Sequence, residues 1–331
     1  MVVSIFGIGA VVGGLLSSML ADKAGRRGGL FYTNIIAFFA AALMGLAKTL
    51  DVYPMMLFGR FFIGINVGLA VMVPMYLTEI APTNLRGTFG SFHQLFITFS
   101  ILVSQVFGLP QFFGTADRWP YIFVFVAVPA LLQVIALPMI PESPKFTLCI
   151  RGEVERAIQD LELLRGTGNA WLEVQQMREE AIRTTNDIPS MLDMFRGSLL
   201  WPSTLTVVMM IAQQLTGNWY LLVGDIVVDH PRFGRRVLLV VGVVGMMISS
   251  IFLVVFISLS KTGVVWASYF AAVSVVLFVM FFAAGPGSIP WFFPSEIVFT
   301  NARANACALT AVANWVTNFF VSSTFVIVHV S

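Results

Sequence analysis

Residues 79–86 read Glu79-Ile80-Ala81-Pro82-Thr83-Asn84-Leu85-Arg86, and residues 296–303 read Glu296-Ile297-Val298-Phe299-Thr300-Asn301-Ala302-Arg303. Five of these eight positions are identical and a sixth exchanges Ala for Val, a match that composition alone does not produce. A proline, Pro74 or Pro290, lies shortly before each glutamate. A shorter echo accompanies the first: Ala24-Gly25-Arg26-Arg27 recurs as Phe233-Gly234-Arg235-Arg236, each preceded by an aspartate, Asp22 or Asp229. The chain is two related halves laid out in the same direction.

The medium around those halves follows from composition. Hydrophobic residues make up 58% of the 331, charged residues only 11%, and the mean hydropathy is +0.88. A soluble domain is near half apolar and a quarter charged, so the remaining solvent for these side chains is lipid. A net charge of +2 gives no reason to expect a nucleic-acid partner. Cys149 and Cys307 supply neither a disulfide framework nor metal-ligand spacing, and no cofactor motif is present. The first 27 residues lack a basic leading segment and a small-residue cleavage pattern, and read as a span rather than a signal peptide.

A helix needs about 20 residues to cross about 30 Å of hydrocarbon, and backbone groups in lipid must be satisfied internally. Apolar runs at 2–20, 30–47, 53–78, 88–112, 119–140, 199–228, 236–260, 264–294 and 304–330 are therefore predicted helices. Between 141 and 198 lies the one long polar stretch; its Val154, Ile158, Leu161 and Leu164 recur at helical spacing, with Leu172 and Met177 less regular, which predicts two or three short amphipathic helices. Lys23, Arg26, Arg27, Arg86, seven basic residues from Lys145 to Arg196, Arg232, Arg235, Arg236 and Arg303 all fall on one side, against Lys48, Arg118 and Lys261 on the other. Basic loops mark the cytoplasm. One conflict remains: a single crossing through 199–228 would put Arg232, Arg235 and Arg236 outside. Thirty residues are too few for two spans of at least about 17, so either this segment is re-entrant or about one span is absent. Absence is the favoured reading.

Parallel halves sharing a membrane face are how carriers build a central site between two bundles. The repeated charges bracket helix ends at that face: Asp22, Arg26, Arg27, Glu79, Arg86, Glu142, Asp229, Arg235, Arg236, Glu296 and Arg303 are candidate members of a latch of ion pairs holding the bundles together. Such a latch must break when the cavity opens inward.

Further strings carry a family resemblance: Asp22-Lys23-Ala24-Gly25-Arg26-Arg27, Gly59-Arg60-Phe61, His93-Gln94-Leu95, Pro141-Glu142-Ser143-Pro144-Lys145-Phe146, Gln213-Gln214-Leu215, Gly285-Pro286-Gly287-Ser288-Ile289-Pro290-Trp291-Phe292 and Asn314-Trp315. Together they resemble the sugar-porter branch of the major facilitator superfamily, and within it the facilitative hexose transporters, over nearly the whole chain. The resemblance implies an all-α membrane protein of two bundles: residues 1–141 as the N-terminal bundle, 142–198 as a cytoplasmic linker, and 199–331 as an incomplete C-terminal bundle. It implies about nine apolar helices where the family has twelve, with the family's helices one and twelve and much of seven and eight absent. That last gap falls where the charge parity fails.

A hexose offers a ring of hydroxyls and a weakly apolar face. Side-chain amides supply donor and acceptor without the desolvation of a charge, and an indole adds a flat apolar face with one N–H. Gln94, Gln213, Gln214, Asn314 and Trp315 lie inside apolar runs and match the family's sugar-contacting positions, as does Trp291; Asn218 stands displaced beside the gap. The alternative for each amide is interhelical bonding, which is the reading for Gln105 and Gln133, while His93 reads as a packing residue. Where the glucose carriers commonly have a glutamate, this chain has Ala283, which leaves fructose or another polyol open as substrate. Gly285, Pro286, Gly287 and Pro290 are predicted to break one helix and form a gate. The expected activity is facilitative transport of a hexose, with glucose as the expected sugar, at the plasma membrane by a non-enzyme whose partners are the sugar and the bilayer. The competing expectations are a proton-coupled symporter and a non-transporting shortened product.

Overall fold

The computed structural model describes residues 2–82, 85–115, 117–166, 170–182, 190–215, 233–261, 265–284, 287, 289–299 and 302–330. Among them there is no strand. The helices are α1 (Val2–Thr49), α2 (Tyr53–Leu69), α3 (Met72–Ile80), α4 (Arg86–Phe107), α5 (Trp119–Val124), α6 (Ala127–Ala136), α7 (Pro144–Cys149), α8 (Val154–Arg165), α9 (Ala170–Ile182), α10 (Leu200–Leu215), α11 (Phe233–Lys261), α12 (Val265–Ala284), α13 (Ile289–Phe292), α14 (Pro294–Ile297) and α15 (Arg303–Val330). Each of the nine apolar runs contributes to these helices among the described residues, the run 88–112 only as far as Phe107, the run 199–228 only as far as Leu215, and the run 264–294 as α12, α13 and α14. The stretches Ile5–Thr49, Tyr53–Ile80, Trp119–Met139 and Leu239–Lys261 are each long and apolar enough to cross a membrane. Large apolar side chains remain outward on them, Phe58, Leu132, Ile135 and Val254 among others, as a lipid-facing surface requires.

Three irregularities have local causes. α1 is two helical arms meeting at Gly25, whose φ of 80° and ψ of 176° belong to a region that only glycine enters without strain. The runs 53–78 and 119–140 each break into two helices, α2/α3 at Ala70–Val71 and α5/α6 at Phe125–Val126. Each break sits four residues before a proline, Pro74 or Pro129. Proline has no N–H to give the carbonyl four residues back and its ring clashes there. A tighter bond replaces the lost one: Val73 N–H donates to Ala70 O at 2.9 Å and Val128 N–H to Phe125 O at 3.0 Å.

In the N-terminal half the first arm of α1 lies against α2 with backbones nearly touching. A Cβ placed on Gly9, Gly13, Gly64 or Gly68 would come within 2.2 Å of a carbonyl oxygen on the facing helix. Paired glycines four apart on both helices allow this approach, and dispersion and backbone contact replace the hydrophobic drive that lipid does not supply. A buried seam then joins the halves: Ala21, Leu30, Leu69, Met72 and Met75 from one side pack with Ala304, Cys307 and Ala311 of α15.

The polar stretch folds as α7, α8 and α9 around Leu148, Ala157, Leu161, Ala170, Val174 and Met177. The seam matches the predicted one in part: Leu161 and Met177 are buried and Ile158 packs against them, whereas Val154 and Leu172 are exposed and the small alanines Ala157 and Ala170 are buried. Arg165 ties this layer to the bundle, donating to the free carbonyl of Ile80 at the end of α3 (2.8 Å) while paired with Glu173.

In the C-terminal half α10 starts near α15's start, where Met194 and Leu199 pack with Val298, Ala302 and Ala306, and ends deeper, where Gln214 reaches Asn314. α11 runs the same way. Its early residues Leu239 and Val243 share a cluster with Ile289, and it climbs beside the descending α12 until Ser260 meets Ser268 at 2.8 Å. Successive helices joined by a short loop run in opposite senses; α10 and α11 do not, which is the parity conflict in geometrical form. Residues 216–232 between them, with Asn218, Asp225 and Asp229, lie outside the described residues.

Candidate functional site

Two groups of polar residues are built at different depths of the bundle. The deeper one gathers amides from α10 and α15. Gln214 donates from Nε2 to Asn314 Oδ1 and accepts at Oε1 from Asn318 Nδ2 at 3.2 Å. Asn314 and Asn318 are four residues apart, so one turn of α15 presents both to the same neighbour. Gln213, one residue earlier and 5% exposed, donates from Nε2 to the carbonyl of Gly287 at 3.1 Å. That carbonyl lies between the end of α12 at Ala284 and the restart at Ile289, where the helical ladder is interrupted. Pro290 sits in the first turn of α13, where its missing N–H is of no consequence. Gly285 and Pro286 lie outside the described residues.

Two indoles stand on the same stretches of chain, Trp315 next to Asn314 on α15 and Trp291 on α13 after Gly287. Trp315 packs edge-on against Phe6 of α1, ring centroids 5.6 Å apart. Its Nε1 is buried and has no hydrogen-bond partner among the described residues, a donor whose isolation costs about 1–3 kcal/mol. Trp291 meets His93 of α4 edge-on at 5.9 Å and joins the seam between the halves, so His93 acts here as a packing residue. Of Gln94 only its place on α4 is described, and Ala283 likewise has only its place in α12. Asn318 was not singled out from sequence, although its spacing from Asn314 was the available signal.

The shallower group lies at the face carrying the basic residues, and its centre is an ion pair with almost no water. Arg26 is 1% exposed and Glu79 2%. The guanidinium is bidentate on the carboxylate, Nε–Oε2 3.0 Å and Nη2–Oε1 3.1 Å. Ser143 Oγ adds a 2.6 Å bond to Oε2, the short distance expected of a hydroxyl on a charged acceptor. The remaining Arg26 nitrogen donates to Ala21 O at 3.2 Å, near Asp22 at 3.8 Å, and its flat face lies 5.0 Å over the Phe146 ring. From the other half, Arg303 Nη1 comes to 3.6 Å from Glu79 Oε1.

Glu142 behaves differently from a latch carboxylate. It accepts the backbone N–H groups of Arg26 (3.0 Å), Arg27 (3.0 and 3.2 Å) and Ser143 (2.9 Å). It thereby caps the second arm of α1, where unpaired N–H groups and the helix dipole favour a negative charge. Arg27 contributes that N–H and, among the described residues, no ion pair; its guanidinium reaches the Pro138 carbonyl at 3.4 Å. Glu296 is half-buried in α14. Arg86, Arg235 and Arg236 are placed on α4 and α11 without described side chains, and Asp229 lies outside the described residues. Two partners here were not anticipated from sequence: Ser143, hidden within a motif, and Thr78, whose hydroxyl meets Ser295 at 2.9 Å.

This arrangement, two helical halves closed over a seam with amides converging at depth, is that of a major-facilitator carrier. A family profile, "Sugar (and other) transporter", matches residues 1–224 and 221–331, and the chain belongs to this family of multi-pass membrane proteins. It is 47% identical to the facilitated glucose transporter protein 1 of Caenorhabditis elegans over 359 residues, covering 98% of this chain and 70% of that relative. Those 359 residues against a chain of 331 leave at least 28 without a counterpart here, and the profile match itself divides at residues 221–224. The proton:xylose symporter XylE bound to 6-bromo-6-deoxy-D-glucose superposes with a TM-score of 0.77 at 24% identity, over 99% of this chain and 78% of that one. The inward-open xylose transporter from E. coli overlaps less well, at 0.67 with 25% identity over 98% and 78%.

Proposed function

We propose that the chain is built for facilitative movement of a hexose through the plasma membrane, with the two halves rocking about a central site. The observation that carries this reading is the run of amides Gln213, Gln214, Asn314 and Asn318 beside the buried, unpartnered N–H of Trp315. In the absence of sugar Gln214 bonds Asn314 and Asn318, and Gln213 bonds the Gly287 carbonyl. Each can exchange that partner for a hydroxyl at little net change, since both exchanged bonds are neutral. The indole N–H gains a partner on binding, and the ring faces of Trp291 and Trp315 suit the apolar side of a pyranose. Binding strength then comes from exchange, which keeps affinity moderate and release fast.

A uniporter needs no coupling group. The buried carboxylate Glu79 is held in a bidentate ion pair at the basic face, away from the amides, which favours uniport over proton coupling. The test is uptake of radiolabelled glucose, with fructose in parallel, by purified full-length chain in liposomes. Saturable flux unchanged when a pH gradient is collapsed supports the reading. Flux that follows the gradient replaces it with symport. No saturable flux for either sugar rejects transport for this chain and favours the shortened, non-transporting product.

A further inference from the structure

Thr78 and Ser295 hold the same place in the two sequence repeats, each directly before its glutamate. Their hydroxyls are 2.9 Å apart, with the residues 4% and 5% exposed. Equivalent residues of two related halves touch each other only where the axis relating those halves passes between them. The contact therefore marks the pseudo-two-fold axis at the basic face. Thr78 is fixed in place, its Oγ1 lying 2.9 and 3.0 Å from the carbonyls of Met75 and Pro74 on its own helix.

The neighbouring contact between the halves is of another kind. Arg303 stands 3.6 Å from Glu79, beyond hydrogen-bond range. Glu79 is already committed within its own half to Arg26 and Ser143. When the halves part, Glu79 keeps those partners, and Thr78 keeps its helix carbonyls while Ser295 loses the hydroxyl opposite. The neutral pair separates with little desolvation change, so it is a fine adjustment on the closed state where the charges are a coarse one.

We propose that the Thr78–Ser295 hydroxyl pair is the positioning contact that sets the balance between the closed and open forms of the basic face; this rests on the alternating-access reading above. One neutral hydrogen bond shifts a two-state ratio roughly fivefold.

The chain carries its own reporter. Cys307 is 1% exposed and lies in the seam among Ala21, Met72 and Met75 of the other half, so a thiol reagent reaches it only when the face opens. With Cys149 replaced by Ser, Cys307 is the single cysteine of the chain. The rate of its labelling by a small membrane-permeant maleimide is measured in native membranes, on variants that retain a monodisperse size-exclusion profile. Thr78→Val and Ser295→Ala are each expected to raise the rate roughly fivefold, and Thr78→Ser to restore it. Rates for both single variants equal to the parent, while Glu79→Gln accelerates labelling, would overturn the proposal. Hexose flux is read separately: faster labelling of both variants without any flux in the parent leaves the hydroxyl latch standing and rejects the carrier reading.

Discussion

Two ion pairs in this chain close to the same nitrogen–oxygen distance in opposite surroundings, which makes burial itself testable. Arg26–Glu79 and Lys48–Asp117 each have a nitrogen–oxygen distance of 3.0 Å. The first pair has side chains 1% and 0% exposed, the second 36% and 95%. Glu79→Gln keeps the shape and removes the charge, leaving Arg26 and Arg303 facing a neutral amide in a dry site. Breaking a buried pair on one side costs about 3–5 kcal/mol, because the surviving charge is uncompensated. Asp22 at 3.8 Å offsets part of this for Arg26, whereas Arg303's Nε is buried with no partner among the described residues. By the stability scaling of domains, that loss is a fall of roughly 5–10 °C in melting temperature. Lys48→Met should be indistinguishable from the parent, since exposed pairs are screened and contribute little. The assay is thermal unfolding in detergent, followed by thiol-reactive fluorescence and by retained monodispersity. Adding Arg26→Met to Glu79→Gln should recover part of the loss, because a buried apolar side chain is better tolerated than a lone buried charge. Equal melting temperatures for Glu79→Gln and Lys48→Met would refute the reasoning, as would a double variant less stable than Glu79→Gln alone.

Gly68→Leu should abolish a monodisperse profile, because even its Cβ would lie 2.2 Å from Ala10 O and 2.6 Å from Gly14 N; Gly28→Ala, whose nearest contact would be 3.5 Å, should leave the profile intact. Gln214→Ala removes a group that bonds both Asn314 and Asn318, and should raise KM for hexose uptake by about 10-fold or more, at about 1 kcal/mol per lost bond. Gln105→Ala on the exposed side of α4 should not, and equal effects would remove Gln214 from the site. Burial pushes the Cys149 thiol above its ordinary pKa. Less thiolate is then present at pH 8 than in a free thiol, so iodoacetamide should alkylate it more slowly than it does glutathione, and parity between the two would contradict the burial seen here.

The apolar runs and the helix-breaking prolines were legible because both act locally: a run of about 20 apolar residues has one solution in lipid, and Pro74 or Pro129 breaks its own helix wherever that helix packs. The repeat marks the two halves in the sequence, and the charge-parity conflict marks a missing piece on the linker's far side. What stayed hidden depends on neighbours. Glu142 reads as one more charge in a charged motif, and nothing in the pattern tells that its partners are three backbone N–H groups. Hydropathy points to Val154, Ile158, Leu161 and Leu164 with Leu172 and Met177 for the linker seam; the structure buries Leu161 and Met177, leaves Val154 and Leu172 exposed, and adds the small Ala157 and Ala170, which no hydropathy pattern singles out. Asn318 was obscured by the adjoining Asn314-Trp315 motif, though one helical turn separates them. Thr78 and Ser295 are visible as equivalents in the repeat, but that equivalents meet is a property of the axis.

The corner at Gly25 has a mechanical consequence. A Cβ there would fall 2.4 Å from Glu142 Oε2 and 2.9 Å from Phe146, so the turn is filled by the beginning of the linker, and the Glu142 carboxylate clamps it through two successive N–H groups. Both arms of α1 and the start of α7 are thus braced into a single stiff bracket. Torque applied to either arm is transmitted to the linker layer instead of being absorbed by bending at the turn. In this half of the molecule the turn between the two arms of α1 is a joint that passes force on to the linker layer.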